Sequence, residues 1–160
     1  MDSVSVNPFT KFDKDWAIVT AGTKDKFNGM TVSWGCMGTL WRTPVVQIFI
    51  KPVRYTSKFL EESEYFTVSF YDKKYKKAMG IMGSKSGRDC DKVKEAGLTP
   101  KFLEHGITFE EASETYVCKK IYMCQMDKSK FPELAQKFYA SKGEEPAHFV
   151  IFGQVEEVKK

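Results

Sequence analysis

The chain reads as mainly β with short α helices, on three grounds. Six runs rich in β-branched and aromatic residues are spread along 160 residues. Glycine, proline and polar turns separate them, and only three short stretches carry helix start and stop signals. Six or more strands of this length predict an antiparallel barrel or sandwich. WAIVTAG (Trp16 to Gly22) is a short apolar run closed by glycine. MTVSW follows after a polar turn containing Asn28 and Gly29, which predicts a hairpin. PVVQIFIKP (Pro44 to Pro52) is β-branched with proline at each end and reads as a strand buried on both faces. YFTVSFY alternates, placing Phe66, Val68 and Phe70 on one face and Thr67 and Ser69 on the other. TYVCKKIYMCQM (Thr115 to Met126) and HFVIFGQVEEV (His148 to Val158) supply two long strands.

The helices sit between strands. SKFLEES (Ser57 to Ser63) predicts one or two turns. In SGRDCDKVKEAGLTP, Ser86 is placed to cap, Asp89 stands three residues on, Gly97 suits the C′ position and Pro100 forbids continuation. KFPELAQKFYASKG has Pro132 near its start and Gly143 beyond its end. With no internal repeat or linker, residues 1–160 read as one domain.

Composition narrows the function classes. Apolar and charged fractions of 42% and 29% are those of a globular protein. No apolar run approaches the roughly 18 residues of a membrane helix. MDSVSVNPF lacks the basic start and apolar core of a secretory signal, so cytoplasm is the expected compartment and no membrane partner is expected. Cys36, Cys90, Cys118 and Cys124 form no C-x-x-C pair, only two histidines accompany them, and no metal site is expected. On one strand, Cys118 and Cys124 would stand about 20 Å apart, too far for a disulfide. All four read as small buried hydrophobes.

The hydrolytic and nucleotide-binding signatures are missing. His105 lies in a loop and His148 opens a strand, which suits surface or interface histidines better than catalytic bases. Glu61 with Glu62 and Glu110 with Glu111 read as solvated surface, and neither a Walker A nor a G-x-G-x-x-G sequence occurs. Net charge is +4, and KKYKK (Lys73 to Lys77) reads as a solvated helix face, so no nucleic-acid partner is expected. Arg54 in PVRYTSKF, and Arg88 with Lys92 in SKSGRDCDK, sit among hydroxyls and glycines. A small-residue loop entering a helix suits one phosphate monoester, and it equally suits an ordinary helix cap. In NGMTVSWGCMGTLW, Thr31 and Ser33 share one strand face and Val32 and Trp34 the other. Glycines there admit close approach of backbone to a flat heteroaromatic ring, or mark a barrel corner.

The runs NGMTVSWGCMGTLWRTPVV, KPVRYTSKFLEESEYFTVSF and SGRDCDKVKEAGLTP, in that order, resemble the flavin reductase-like, FMN-binding split-barrel family, particularly its flavoredoxin branch. The resemblance extends from about Trp16 to Val158. It implies a split β-barrel of Greek-key type, a homodimer with flavin near the subunit interface, and non-covalent FMN. Carried over by motif, Asn28 and Met30, Thr31, Val32, Ser33 and Trp34 line the isoalloxazine. Arg54, Tyr55 and Thr56 hold the phosphate or ribityl chain with Ser86, Gly87 and Arg88, while Asp91 and Lys92 complete the third motif.

The resemblance further implies an oxidoreductase that passes hydride or electrons from NAD(P)H, or from a redox partner protein, through FMN, with no side chain needed as acid or base. Lys92 is the candidate for a positive charge at the N1/C2=O edge. A flavoredoxin-type electron carrier without direct NAD(P)H activity, or a non-redox binding module, are the alternatives.

Overall fold

Strand β1 (Ala17–Gly22) turns through residues 23–26 into β2 (Phe27–Val32), and the two pair antiparallel with Gly22 opposite Phe27. The computed structural model describes residues 6–143 and 145–160; much of the signal-free reading of MDSVSVNPF therefore lies outside the described residues. The polar turn comes earlier than the sequence suggests. Asn28 and Gly29 lie inside β2, because the Asn28 side chain bonds to a distant helix instead of to its own turn.

The opening apolar stretch divides into two strands. After β2, Ser33 and Trp34 form a corner, and β3 (Gly35–Leu40) leaves in a new direction to pair with β4 (Thr43–Ile50). Sequence reading missed β3, since its glycines and alternate exposed positions leave no apolar periodicity. The β3–β4 turn uses Trp41 and Arg42 at φ 50° and 63°, the left-handed backbone that tight hairpins of this hand demand. Strand β4 is not buried on both faces: Val46, Ile48 and Ile50 face the core, whereas Gln47 and Phe49 are only half-covered.

Helix α1 (Tyr55–Glu62) and β5 (Tyr65–Phe70) follow, then α2 (Lys76–Ser84) and α3 (Lys92–Ala96). Next come the small hairpin β6 (Pro100–Phe102) and β7 (Ile107–Phe109), β8 (Glu114–Gln125), α4 (Glu133–Ala140) and β9 (Phe149–Lys159). Helix α3 starts later than predicted. Its cap is Asp91, whose carboxylate accepts the Lys94 N–H at 3.1 Å, while Ser86 belongs to the preceding turn. Gly97 closes the helix at φ 68° as expected. Helix α2 has two interior glycines and no cap signal, so packing of Ala78, Met79 and Met82 holds it.

Seven strands form one antiparallel sheet in the order β2-β1-β5-β8-β9-β4-β3. Its edge strands, β2 and β3, are neighbours in sequence, joined only by Ser33 and Trp34. Laid flat, six strand spacings of about 4.8 Å would hold the edges about 29 Å apart. The link from Val32 to Gly35 spans at most about 11 Å. The sheet must therefore roll until its edges meet at that corner, and because β2 and β3 are not paired the seam between them stays open.

Inside the roll, Val19, Val46, Ile48, Phe66, Val68, Phe70 and Ile151 pack as one core. The opposite face of β5 is also closed, by the β6–β7 hairpin. There Thr67 Oγ1 donates to Ile107 O, and the Ser69, Thr108 and Thr115 hydroxyls bond one another at 2.8–3.0 Å. The cysteines depart from expectation. Cys118 is buried, but Cys36 and Cys124 are exposed and Cys90 is half-buried: Cys36 takes an outward position of β3, the register shift between Lys120 and Tyr122 reverses the facing of Cys124 relative to Cys118, and Cys90 lies in the turn before α3. Among the described residues no helix is long and apolar enough to cross a membrane.

Strand β9 lies hard against its neighbours at Gly153, where a Cβ would come 2.5 Å from Phe66 Cζ and 2.6 Å from Cys118 Cβ. Gly153→Ala should lower stability by about 1–3 kcal/mol in urea denaturation. An unchanged midpoint would show that the inner face has slack there.

Candidate functional site

Three chain segments meet at Asn28. Its side chain is buried on β2, its Nδ2 donates to Thr56 Oγ1 in the first turn of α1 at 2.7 Å, and a Cβ at Gly87 would lie 2.2 Å from its Oδ1. Only glycine lets the turn between α2 and α3 approach this closely. One amide therefore ties together the segments around 28, 55–56 and 86–88, far apart in sequence.

Beside that junction is a cavity of about 100 Å³, lined by Asn28, Arg54, Thr56, Ser86, Arg88 and Lys92 among others. No carboxylate among the described residues lines it. Arg54 Nη1 donates to Gly83 O and Arg88 Nη1 to Val53 O, both at 3.4 Å, and the Arg88 guanidinium lies 4.9 Å from the Tyr55 ring centroid. Lys92 is 4% exposed, and its Nζ donates to Met82 O at 3.0 Å and Lys85 O at 3.2 Å. Burial, followed by the charge of Arg54, pushes the ammonium down to about 8. Neither arginine nor Lys92 pairs with a carboxylate among the described residues, whereas Lys85 is taken up by Glu95. Three cations thus converge on a small hydroxyl-bearing space, none of them in an ion pair with a carboxylate among the described residues, which is a donor set suited to an anion.

A second cavity, about 220 Å³, adjoins the first and shares Met30 and Arg54 with it. Its floor is the end of β2 and the corner, Met30 to Trp34; Phe49, Phe138 and His148 add aromatic walls, and Lys51 a charge. Thr31 Oγ1 is turned away, donating to Met79 O at 2.5 Å. Trp34 lies 4.8 Å from His148 and 5.2 Å from Phe138, ring centre to ring centre. The corner that closes the sheet is therefore also the floor of this cavity.

His148 is not the surface histidine that its position suggests. It is buried, its Nδ1 stands 2.6 Å from Tyr139 Oη, and desolvation together with the charge of Lys51 pushes it down to about 4.

The structure brings Asn28, Met30, Arg54, Tyr55, Thr56, Ser86, Arg88 and Lys92 to the first cavity, and Met30, Thr31, Val32, Ser33, Trp34 and Arg54 to the second. Gly87 joins through Asn28. Asp91 lines neither cavity: it caps α3 and lines an outer groove that also includes Asn28, Gly87, Arg88 and Lys92. Sequence reading missed Phe49, Lys51, Phe138 and His148. Lys51 was within reach, as the first residue of the second motif, whereas Phe138 arrives from α4 by a contact no local pattern announces.

The family model described as flavin reductase like domain matches residues 9–159. No curated protein matches the chain in sequence. Among solved structures, a flavoredoxin from Methanosarcina acetivorans is similar at 15% identity and TM-score 0.72, over 100% of this chain and 76% of its own. An FMN-binding protein from Thermus thermophilus, with p-hydroxybenzaldehyde bound, is similar at 23% identity and TM-score 0.70, over 100% and 82%. The NADH:FAD oxidoreductase SgcE6 from Streptomyces globisporus is similar at 16% and 0.69, over 91% and 75%. The rolled sheet with its open seam is thus a split barrel.

Lys92 makes the charge argument testable without any ligand. Unfolded, it keeps its proton to about 10.5; folded, it gives it up near pH 8. Across that window the unfolded chain binds more protons, so stability rises with pH. Lys92→Met should be more stable than wild type by about 1 kcal/mol at pH 7, and the advantage should vanish by pH 10. A difference that stays flat with pH, followed by chemical denaturation, would mean that the ammonium is not strained.

Proposed function

The chain belongs to the flavin reductase-like family, and from that premise we propose that it is an FMN-binding oxidoreductase accepting hydride from NAD(P)H and passing electrons on through FMN. One observation carries this reading: a cationic cavity lined by no carboxylate among the described residues adjoins an aromatic, backbone-floored one, with Met30 and Arg54 common to both. A phosphate monoester neutralises the first; a planar ring with donors and acceptors along one edge fits the second.

The residues divide the work accordingly. Arg54, Arg88 and Lys92 bind the phosphate, with Ser86 and Thr56 completing its hydrogen bonds, and Asn28 holds the two loops at the spacing this needs; Lys92 takes this role and not the one expected of it at the N1/C2=O edge, because it lines the cationic cavity and not the ring cavity. The backbone from Met30 to Trp34 orients the ring. Phe49, Phe138 and Trp34 wall it with apolar surface. FMN, when bound, supplies the redox chemistry. His148, held neutral at pH 7, adds no charge.

A second reading, an electron carrier of the flavoredoxin type served by a protein donor, is favoured by the closeness of Trp34 and Phe138, which leaves little room beside a ring. Mixing FMN-loaded protein with NADH or NADPH in a stopped-flow spectrometer separates the two. Bleaching faster than about 1 s⁻¹ supports the reductase; none over minutes supports the carrier. A homodimer is part of the same proposal, supported by Trp41 and Tyr122 exposed on β3–β4 and β8. A monomeric mass at micromolar concentration contradicts it.

Arg54→Ala should weaken FMN by about 1.5–3 kcal/mol, the scale of a charge-assisted hydrogen bond. Titration calorimetry reads this directly, and an unchanged affinity would remove Arg54 from the phosphate site.

A further inference from the structure

We propose that Tyr139 is a positioning residue, fixing the His148 imidazole as the Nε2–H tautomer so that one N–H donor is offered to an acceptor atom of the ligand in the ring cavity. The proposal rests on the reading of that cavity as a heteroaromatic-ring site, and it names the group that would recognise a carbonyl oxygen or bare ring nitrogen.

The tautomer follows from counting protons. Tyr139 is 6% exposed, and its hydroxyl makes two contacts among the described residues: the His148 backbone N–H donates to Oη at 3.3 Å, and Nδ1 of the same histidine lies 2.6 Å away. The backbone N–H can only donate. The phenol proton then has a single acceptor within reach, Nδ1. Were Nδ1 protonated instead, the phenol proton would be buried without a partner. With Nδ1 occupied as an acceptor, the ring's one proton resides on Nε2, the nitrogen left for the cavity that His148 lines.

The ring plane is held as firmly as the proton. Trp34 lies against it at 4.8 Å and 30°, and Tyr139 meets it edge-on at 5.7 Å and 68°. Tyr139 is itself held by Phe131, stacked at 5.1 Å, and by Phe138. Lys51 and Arg54, which line the same cavity, oppose a second proton on the imidazole, and Glu145 favours one but is engaged by Lys51. The donor therefore stays neutral and singly oriented.

The test is the imidazole ¹⁵N spectrum of ligand-free protein at pH 7, with exposed His105 as internal reference. Wild type should show His148 with Nε2 protonated and Nδ1 bare; a protonated Nδ1 overturns the proposal. Tyr139→Phe keeps the aromatic packing and should shift both signals toward a mixture of tautomers. Retention of a pure Nε2–H form in that variant, folded by near-ultraviolet circular dichroism, also overturns it. If the tautomer is fixed as described, Tyr139→Phe should weaken FMN about three- to tenfold, the worth of one ordinary hydrogen bond. Unaltered FMN affinity would refute the donor role. Failure of the wild type to bind FMN at all would refute the flavin reading instead, and the ligand-free spectra keep the two failures apart.

Discussion

The fold turns on a link of two residues. Ser33 and Trp34 connect the opposite edges of a seven-stranded sheet, and no flat arrangement satisfies so short a tether. Rolling the sheet buries its inner face, gathers Phe66, Phe70 and Ile151 into a core, and leaves one seam unpaired. An unpaired seam would ordinarily be a liability, since exposed strand edges invite association. Here its corner is the floor of a cavity, so the constraint that closes the barrel also positions the backbone most suited to holding a flat ring.

The second element is charge left deliberately uncompensated. A buried lysine and two exposed arginines surround a space that no carboxylate among the described residues lines, and for the lysine that burial costs stability in the empty protein. Asn28 holds them there through Thr56 and Gly87, neither of which is near it in sequence. Binding an anion converts that cost into affinity, so stability and function pull in opposite directions at Lys92. The ring cavity follows another logic, with aromatic side chains and one buried, neutral imidazole around a backbone floor.

Much of this was legible in the chain. Alternation in YFTVSFY, the paired long strands at the end and the glycine stop at Gly97 all appear where sequence placed them, because each rests on local periodicity or turn chemistry. The basic residues among hydroxyls pointed to a phosphate, and they do line one cavity. What escaped depends on contacts distant in sequence. Strand β3 has too many glycines and exposed positions to declare itself, and α2 is helical only because Met79 and Met82 are packed. His148 looked like a strand-opening surface residue until Tyr139 and Trp34 closed over it. The outward cysteines show the limit of composition, since the face a strand residue takes is set by register alone.

The central claim is that the cation cluster binds the phosphate end of a flavin whose ring lies on the corner. The most direct measurement compares the dissociation constants of FMN and riboflavin, which differ only in that phosphate, at low and high salt. FMN should bind at least about tenfold more tightly at low salt, the worth of one charge-assisted hydrogen bond, with the gap narrowing as salt screens the cluster. Equal affinities at low salt would contradict the account, because Arg54, Arg88 and Lys92 would then hold no phosphate.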